Sequence, residues 1–155
     1  MIIKNAEVLN SKRIKQILQL LKLQWNYSET FEYGFLQKEN DLFLITRDLD
    51  KIDVQEVNVN SLGMYFGELR HDTLRLSIEG SQIVGKNATK NVMELNNEQL
   101  QHWLRGDDMD VANIKGNYGD NNFVLIKHEK NFYGCGRVKD GTLLNFVPKS
   151  RRFLV

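Results

Sequence analysis

The part of the sequence that decides the fold is YGCGRVKDGTLLNFVPKSRR, residues 133–152. Phe132–Val138 and Thr142–Phe146 have the composition of two short strands, and the turn-forming pair Asp140-Gly141 separates them. Pro148 then stops the strand pattern, and the basic residues that follow are Lys149, Arg151 and Arg152. The segment therefore predicts two strands joined by a tight turn and followed by a basic tail.

Upstream of this segment the second half of the chain predicts further short strands and two short helical pieces. A helix over Asn97–Leu104 is capped by Asn96, and Glu98 lies one residue short of the capping-box position. A helix or turn is expected over Glu79–Val84, followed by the polar loop Lys86–Asn91. The remaining predicted strands are Val92–Leu95, Met109–Ala112 and Asn122–His128. Five or six short strands of this kind predict a compact, partly closed β-barrel.

The first half of the chain predicts one helix and an antiparallel sheet. Asn10 or Ser11 can cap the helix, whose apolar residues recur at helical spacing: Ile14, Ile17, Leu18, Leu21 and Trp25. The predicted strands of the sheet are Tyr33–Gln37, Leu42–Thr46, Val54–Val59, Leu62–Leu69 and Thr73–Ser77. The expected class is α+β, with a small helix-plus-antiparallel-sheet lobe over residues 1–72 and a mixed β-barrel over residues 73–155. The two lobes are expected to share a packed interface.

Composition limits the possible classes of protein. The chain has 155 residues, of which 41% are hydrophobic and 26% charged, an ordinary globular balance. No apolar run reaches the length of a membrane span, and the start lacks the apolar stretch of a signal peptide, so a cytoplasmic protein without membrane contact is expected. The single cysteine, Cys135, excludes an internal disulfide, and the three histidines form no HExxH pair. We therefore expect no metal and no cofactor.

Charge is distributed unevenly along the chain. Residues 127–155 carry 7 Lys and Arg against 2 Asp and Glu, a local balance of +5 on a chain whose net charge is +1. Phosphate contacts depend on local charge, so this segment, which includes Lys139, is a candidate face for a polyanion. A solvated surface without any partner would have the same composition.

The same residues carry a resemblance to a known family. Residues 133–152 resemble the closing motif of the PUA-like domain attached to Sun/Fmu-type RNA cytosine-5 methyltransferases, with its glycine turn, Leu-x-Asn and Pro-Lys elements. Leu74–Gly85 (LRLSIEGSQIVG) and Trp103–Asp107 (WLRGD) are similar to the opening strand, glycine turn and central helix of that domain. The first half is more loosely similar to the pre-PUA domain that precedes a PUA domain in some ribosome-biogenesis factors.

This resemblance implies RNA binding, with rRNA or tRNA as the partner. The positions that correspond to the usual ligand-contacting elements are the glycine turn and first helix and the end of the domain: Gly80, Ser81, Lys86, Asn87, Lys90, Asn145, Lys149, Arg151 and Arg152. A glycine would let a phosphate approach the backbone, and arginines can fork onto phosphates. Tyr118 and Phe146 are candidates for stacking on an unpaired base.

Catalysis is not expected. The sequence lacks the Rossmann-type glycine loop and spare cysteines of the methyltransferases, and Cys135 is interpreted as a buried hydrophobic residue. Residues 80–86 match the GxxxxGK spacing of a nucleotide-binding loop, but Asn87 replaces the Ser or Thr that would hold magnesium. The cluster Asp107, Asp108 and Asp110 is interpreted as a loop rather than a cation site.

The sequence therefore favours a non-catalytic RNA-binding protein that acts in rRNA maturation or tRNA modification. Besides RNA, a methyltransferase or a ribosome-assembly protein is a candidate partner. An alternative is a detached RNA-targeting subunit of a separate methyltransferase, which would co-purify with that enzyme. A second alternative is a protein-interaction module that uses Leu62–Leu69 as a sheet edge.

Overall fold

The computed structural model describes residues 6–46 and 63–153. Its described part contains two sheets and three α-helices. The helices are α1 (Ser11–Trp25), α2 (Ile78–Gly85) and α3 (Asn97–Arg105). The strands are β1 (Ala6–Val8), β2 (Gly34–Lys38), β3 (Asp41–Ile45), β4 (Met64–Arg70), β5 (Thr73–Leu76), β6 (Val92–Glu94), β7 (Met109–Asp110), β8 (Lys115–Asn117), β9 (Phe123–His128), β10 (Asn131–Lys139) and β11 (Thr142–Leu144).

The N-terminal lobe consists of α1 and a five-stranded antiparallel sheet in the order β1-β2-β3-β4-β5. Helix α1 begins where the Asn10 side chain accepts the backbone N–H of Arg13, and it ends at Asn26, whose φ of 56° lies in the left-handed region. Ile17, Leu21 and Trp25 are buried on the apolar face of α1. The helix that was predicted from apolar spacing is therefore confirmed by the structure.

Strand β4 lies in the interior of this sheet, because it is hydrogen-bonded to β3 on one side and to β5 on the other. The backbone of β4 is therefore hydrogen-bonded on both sides. The prediction that Leu62–Leu69 forms a free sheet edge is wrong. The expected domain boundary between residues 72 and 73 falls in the turn between β4 and β5. Hydrogen bonds of the N-terminal sheet therefore cross that boundary.

The second sheet is mixed and has the order β7-β11-β10-β9-β6-β8. Strand β6 runs parallel to β9, whereas the other neighbouring pairs are antiparallel. The register between β9 and β10 shifts between Phe132 and Cys135, and such an irregularity bends a strand and increases its twist. The expected α+β class with a mixed, curled second sheet is confirmed.

Both sheets contribute to one hydrophobic core. Phe66 and Leu74 of the first sheet belong to the same buried cluster as Leu125 and Phe132 of the second. Helix α2 lies at this junction, and Gly85 at its C-terminal end faces the Phe132 ring, where a Cβ would come within 2.4 Å of the ring carbon Cδ1. A second cluster around Trp103 fills the space between α3 and the second sheet. The two lobes therefore share a packed interface.

The structure changes the details of two local predictions, and a third lies outside the described residues. Helix α3 does carry a capping box, but its N3 residue is Gln99 rather than Glu98. The strand expected over Met109–Ala112 stops at Asp110, because the Asp110 side chain accepts the N–H of Ala112 and begins a 3-10 turn. The strand expected over Val54–Val59 lies outside the described residues.

Within residues 6–46 and 63–153, no helix combines the length and apolarity needed to cross a membrane.

Candidate functional site

The C-terminal tail, defined here as Asn145–Phe153, is fixed to the end of α3 by the side chain of Asn145. The Asn145 Nδ2 group donates to the carbonyl oxygens of Trp103 (2.8 Å) and Asp107 (3.1 Å). Its Oδ1 atom accepts the N–H of Val147 at 2.8 Å. All the polar atoms of this amide are therefore engaged within the protein, so Asn145 positions the tail rather than offering a free group to a ligand.

Arg152 also has a structural contact. Its Nε donates to the Val147 carbonyl at 2.9 Å, and its side chain covers Gly106, which caps α3 in the left-handed conformation at φ 93°. The next N–H along the chain, that of Phe153, donates to the Leu104 carbonyl at 2.8 Å. The tail is thus docked along α3, with Arg152 half-buried and the side chains of Lys149 and Arg151 exposed.

A small pocket of about 140 Å³ lies between this tail, the start of α2 and the strands β5 and β10. Arg151 reaches across to the Glu79 carboxylate, and the two side chains stay 46% and 35% exposed. Arg75 lies over the ring of Phe146, with 4.7 Å between the guanidinium carbon and the ring centroid. Tyr65 also lines the pocket. Trp103 lines it as well, so the pocket combines two guanidinium groups, one carboxylate and three aromatic side chains.

The polar groups around the pocket differ in how available they are. Arg75 is partly neutralised by Glu68, at 3.1 Å from Nη2 to Oε2. Burial, together with the nearby Asp41 carboxylate, raises the pKa of Tyr65 to about 12, so its hydroxyl stays protonated, and it already donates to Asp41 Oδ1 at 3.3 Å. The Ser77 hydroxyl donates to the Tyr65 carbonyl and accepts the Gly80 N–H, so it is already engaged. The groups left facing a ligand are those of Arg151, Glu79 and the aromatic rings.

Gly80 and Ser81 do not form an exposed glycine turn. Both residues are buried within α2, and the Ser81 hydroxyl donates to the Ser77 carbonyl at 2.7 Å. A Cβ on Gly80 would come within 2.4 Å of the Phe66 carbonyl oxygen. The glycine allows α2 to pack closely against β4, and the structure does not place it in the exposed turn from which it was expected to admit a phosphate. The same helix covers the GxxxxGK spacing, which a nucleotide-binding loop would place before a helix.

Lys86, Asn87 and Lys90 lie beyond the other end of α2, beside α1. All three are exposed, and the Lys90 Nζ donates to the carbonyl of Leu23 at 3.2 Å. Helix α2 spans eight residues, about 12 Å of axis, between the pocket and this loop. Lys139 is exposed at the end of β10 and does not line the pocket. The residues predicted as one site are therefore divided between separate regions of the surface.

Two other candidates have internal roles. Cys135 is 4% exposed, and burial raises the pKa of its thiol to about 12, which agrees with the buried interpretation. The acidic cluster serves the loop after α3: Asp107 contacts the His102 ring, Asp108 accepts the Asn145 N–H and Asp110 caps Ala112. In the described ranges, no group of three His, Cys, Asp or Glu is arranged to hold a metal ion.

Sequence reasoning missed most of the pocket. Tyr65, Arg75 and Glu79 come from three different elements and were not identified as site residues. Arg75 lies in a predicted strand, in which successive side chains point to opposite faces of the sheet. The sequence does not show which of these faces the second lobe covers. The proximity of Glu79 and Arg151, 72 residues apart, has no local signal in the sequence.

Comparisons with known proteins agree with this fold. Residues 90–153 match the family model described as the methyltransferase RsmF PUA domain. A solved structure described as a conserved PUA domain protein from Thermoplasma acidophilum is similar with a TM-score of 0.60 at 14% identity, covering 86% of this chain and 80% of that chain. A comparison with curated proteins gave no match. The resemblance of the C-terminal region to the PUA-like domain of Sun/Fmu-type RNA methyltransferases is therefore confirmed, and PUA domains are generally RNA-binding.

Proposed function

We propose that this protein binds structured RNA without catalysis, through its C-terminal tail and the pocket beside it, and that it acts in rRNA maturation or tRNA modification. The observation that carries the proposal is the position of Arg151. It is held by Glu79 at the mouth of a pocket that also contains Arg75 and three aromatic side chains. A guanidinium at such a position can donate to phosphate or to a base edge while an unpaired base stacks on a ring.

The size of the pocket supports a single planar group as its occupant. A volume of about 140 Å³ is well below the roughly 300–1,000 Å³ of sites that enclose a drug-sized ligand or cofactor. The exposed Lys149, together with Arg151, whose charge is partly offset by Glu79, supplies positive charge outside the pocket, where a nucleic-acid backbone would run. Recognition of a splayed base together with its flanking phosphates fits this combination of a narrow pocket and a basic rim.

The chemistry of the pocket supports binding rather than catalysis. Cys135 lines it, but a thiol with a pKa of about 12 holds too little thiolate near neutral pH to serve as a nucleophile. The Ser77 hydroxyl is engaged in two hydrogen bonds and has no imidazole among the residues that line the pocket. These groups hold the pocket together, which fits a protein that recognises RNA and leaves it unchanged.

The test is a titration of total tRNA and of rRNA fragments at two salt concentrations. The wild-type protein is expected to bind saturably and more weakly at high salt. The variant Lys149→Gln with Arg151→Gln should bind more weakly and lose about 1 to 2 units of the slope of log K against log salt, because about 0.7–0.9 is lost per phosphate contact. The control Lys115→Gln with Lys130→Gln removes the same charge at exposed positions away from the pocket and should keep the slope. Equal slopes for both variants would refute the proposed site.

A second candidate function is an RNA-targeting subunit of a separate methyltransferase. It is favoured by the family match, whose model is the PUA domain of a methyltransferase. In this case a methyltransferase should co-purify with the protein, and methylation of the RNA should require the mixture. Methylation at the same rate without this protein would count against it.

A further inference from the structure

Helix α1 has an unusual charge for an element of the N-terminal lobe. It carries four basic residues, Lys12, Arg13, Lys15 and Lys22, and no acidic residue. Lys12, Lys15 and Lys22 are exposed and lie at helical spacing on one side of α1, away from the centre of its buried face. Within residues 6–46 and 63–153, these three ammonium groups have no ion-pair partner. Their charge is therefore not offset by neighbouring carboxylates in the described part.

The loop after α2 is attached to the C-terminal end of this helix. The Thr89 N–H donates to the Trp25 carbonyl at 3.0 Å, and the Asn91 amide donates to the Gln24 carbonyl at 2.6 Å. Lys90 donates to the Leu23 carbonyl, which uses one of its three N–H donors and leaves two for a ligand. These contacts satisfy carbonyl groups that a helix end leaves unpaired, and they fix Lys90 next to Lys22 in one shallow depression.

This depression continues along the helix. Lys22 and Lys90 line one depression, Lys12 and Lys15 line another, and Gln19 borders both. We call the four lysines the α1 basic face. From Lys12 to Lys22 it extends over ten residues, about 15 Å along the helix axis. The two lysine-lined depressions meet at Gln19, and the C-terminal one includes Lys90, a residue that the family resemblance associates with RNA.

We infer that the α1 basic face is a second RNA contact, which holds backbone phosphates while the C-terminal site recognises the RNA. This inference rests on the proposed function. Lysine is a point charge on a flexible stem, and a row of lysines suits phosphates rather than base edges. The N-terminal lobe would then add affinity for RNA without adding sequence preference.

The surface favours RNA over other anionic partners. A membrane-binding helix inserts its apolar face, but here Ile17, Leu21 and Trp25 are at most 1% exposed in the core. A protein interface usually has an apolar centre and is poor in lysine, whereas Leu23 is the large apolar side chain exposed on α1, at 57%. Positive charge without an apolar centre matches a phosphate backbone.

The test compares the variant Lys15→Gln with Lys22→Gln against the control Lys115→Gln with Lys130→Gln, using total tRNA as the probe. Glutamine keeps helix propensity close to that of lysine, so the α1 variant should fold, and circular dichroism checks the folding of both variants. If both lysines contact phosphate, the salt slope falls by about 1.8 and affinity at 0.1 M salt falls by about 60-fold. The control should change neither quantity.

Each outcome decides between the proposals. Wild-type binding with an unchanged slope in the α1 variant would overturn this inference and leave the proposed function intact. Absence of tRNA and rRNA binding by the wild type at low salt would overturn both. Polyglutamate that binds as tightly as tRNA, with the same sensitivity to Lys15→Gln and Lys22→Gln, would overturn it in favour of an acidic protein partner.

Discussion

Replacing Asn145 by alanine tests whether this residue positions the tail or contacts RNA directly. The change removes three side-chain hydrogen bonds, two to carbonyls at the end of α3 and one from the Val147 N–H. Each such bond contributes about 0.5–1.5 kcal/mol net. Because the site is half-buried and water can replace part of the loss, we expect the free energy of unfolding to fall by about 2–3 kcal/mol. For a chain of this length that corresponds to a Tm lower by about 5–10 °C.

The assay is thermal unfolding followed by circular dichroism, with a tRNA titration on the same samples. Asn145→Ala should lower both the Tm and the RNA affinity, because the tail that carries Lys149 and Arg151 loses its attachment. Asn145→Asp keeps the acceptor for Val147 but replaces the donor to the Trp103 and Asp107 carbonyls with a carboxylate. It should therefore destabilise the protein too.

The opposite pattern would refute this reasoning. If Asn145 contacts RNA directly, as the sequence resemblance implies, alanine at this position would weaken binding while the Tm stayed within about 1 °C of the wild type. Weak RNA binding by a variant of unchanged stability would show that Asn145 contacts the RNA.

Two further predictions concern buried residues that the sequence associated with chemistry. Gly80→Ala should lower the free energy of unfolding by about 1–3 kcal/mol in a denaturant titration, because the new Cβ would press on the Phe66 carbonyl; a stabilised variant would show that α2 can shift freely. The Cys135 thiol should resist a thiol reagent at pH 8 in the native protein and react after unfolding. Rapid labelling of the native protein would contradict the buried position of this thiol. Since folding raises the pKa of Cys135 from 9.0 to about 12, the unfolded state loses the thiol proton first, and the free energy of unfolding should fall as pH rises above about 9.

Local patterns in the sequence were enough for the individual elements. The apolar spacing of Ile14 to Trp25 predicted α1, since a helix places such residues on one face. Asn96 predicted the start of α3, although Gln99 rather than Glu98 completes the capping box. The strands of residues 133–146 and the PUA resemblance followed from turn residues and a closing motif that lie within twenty residues of one another.

The site depended on contacts between residues far apart in the chain. Gly80 suggested an exposed turn, but the packing of α2 against β4 buried it. Asn145 suggested a ligand contact, but its amide is used by the end of α3. The pocket joins Tyr65 and Arg75 of the first sheet to Arg151 of the tail. No short-range pattern in the sequence predicts that these three residues lie close together.

The sequence by itself therefore determined the α+β class, the helices and the basic C-terminal segment, because hydrophobic period, caps and turns act over a few residues. The tertiary structure alone decided which charges are free and which are occupied. In the folded protein, Lys149 and the lysines of α1 face solvent, whereas Arg151 pairs with Glu79 across the pocket. The side chains of Asn145 and Arg152 attach the tail to the end of α3. A side chain's availability to a ligand is set by the partners that folding brings to it, and those partners come from distant parts of the chain.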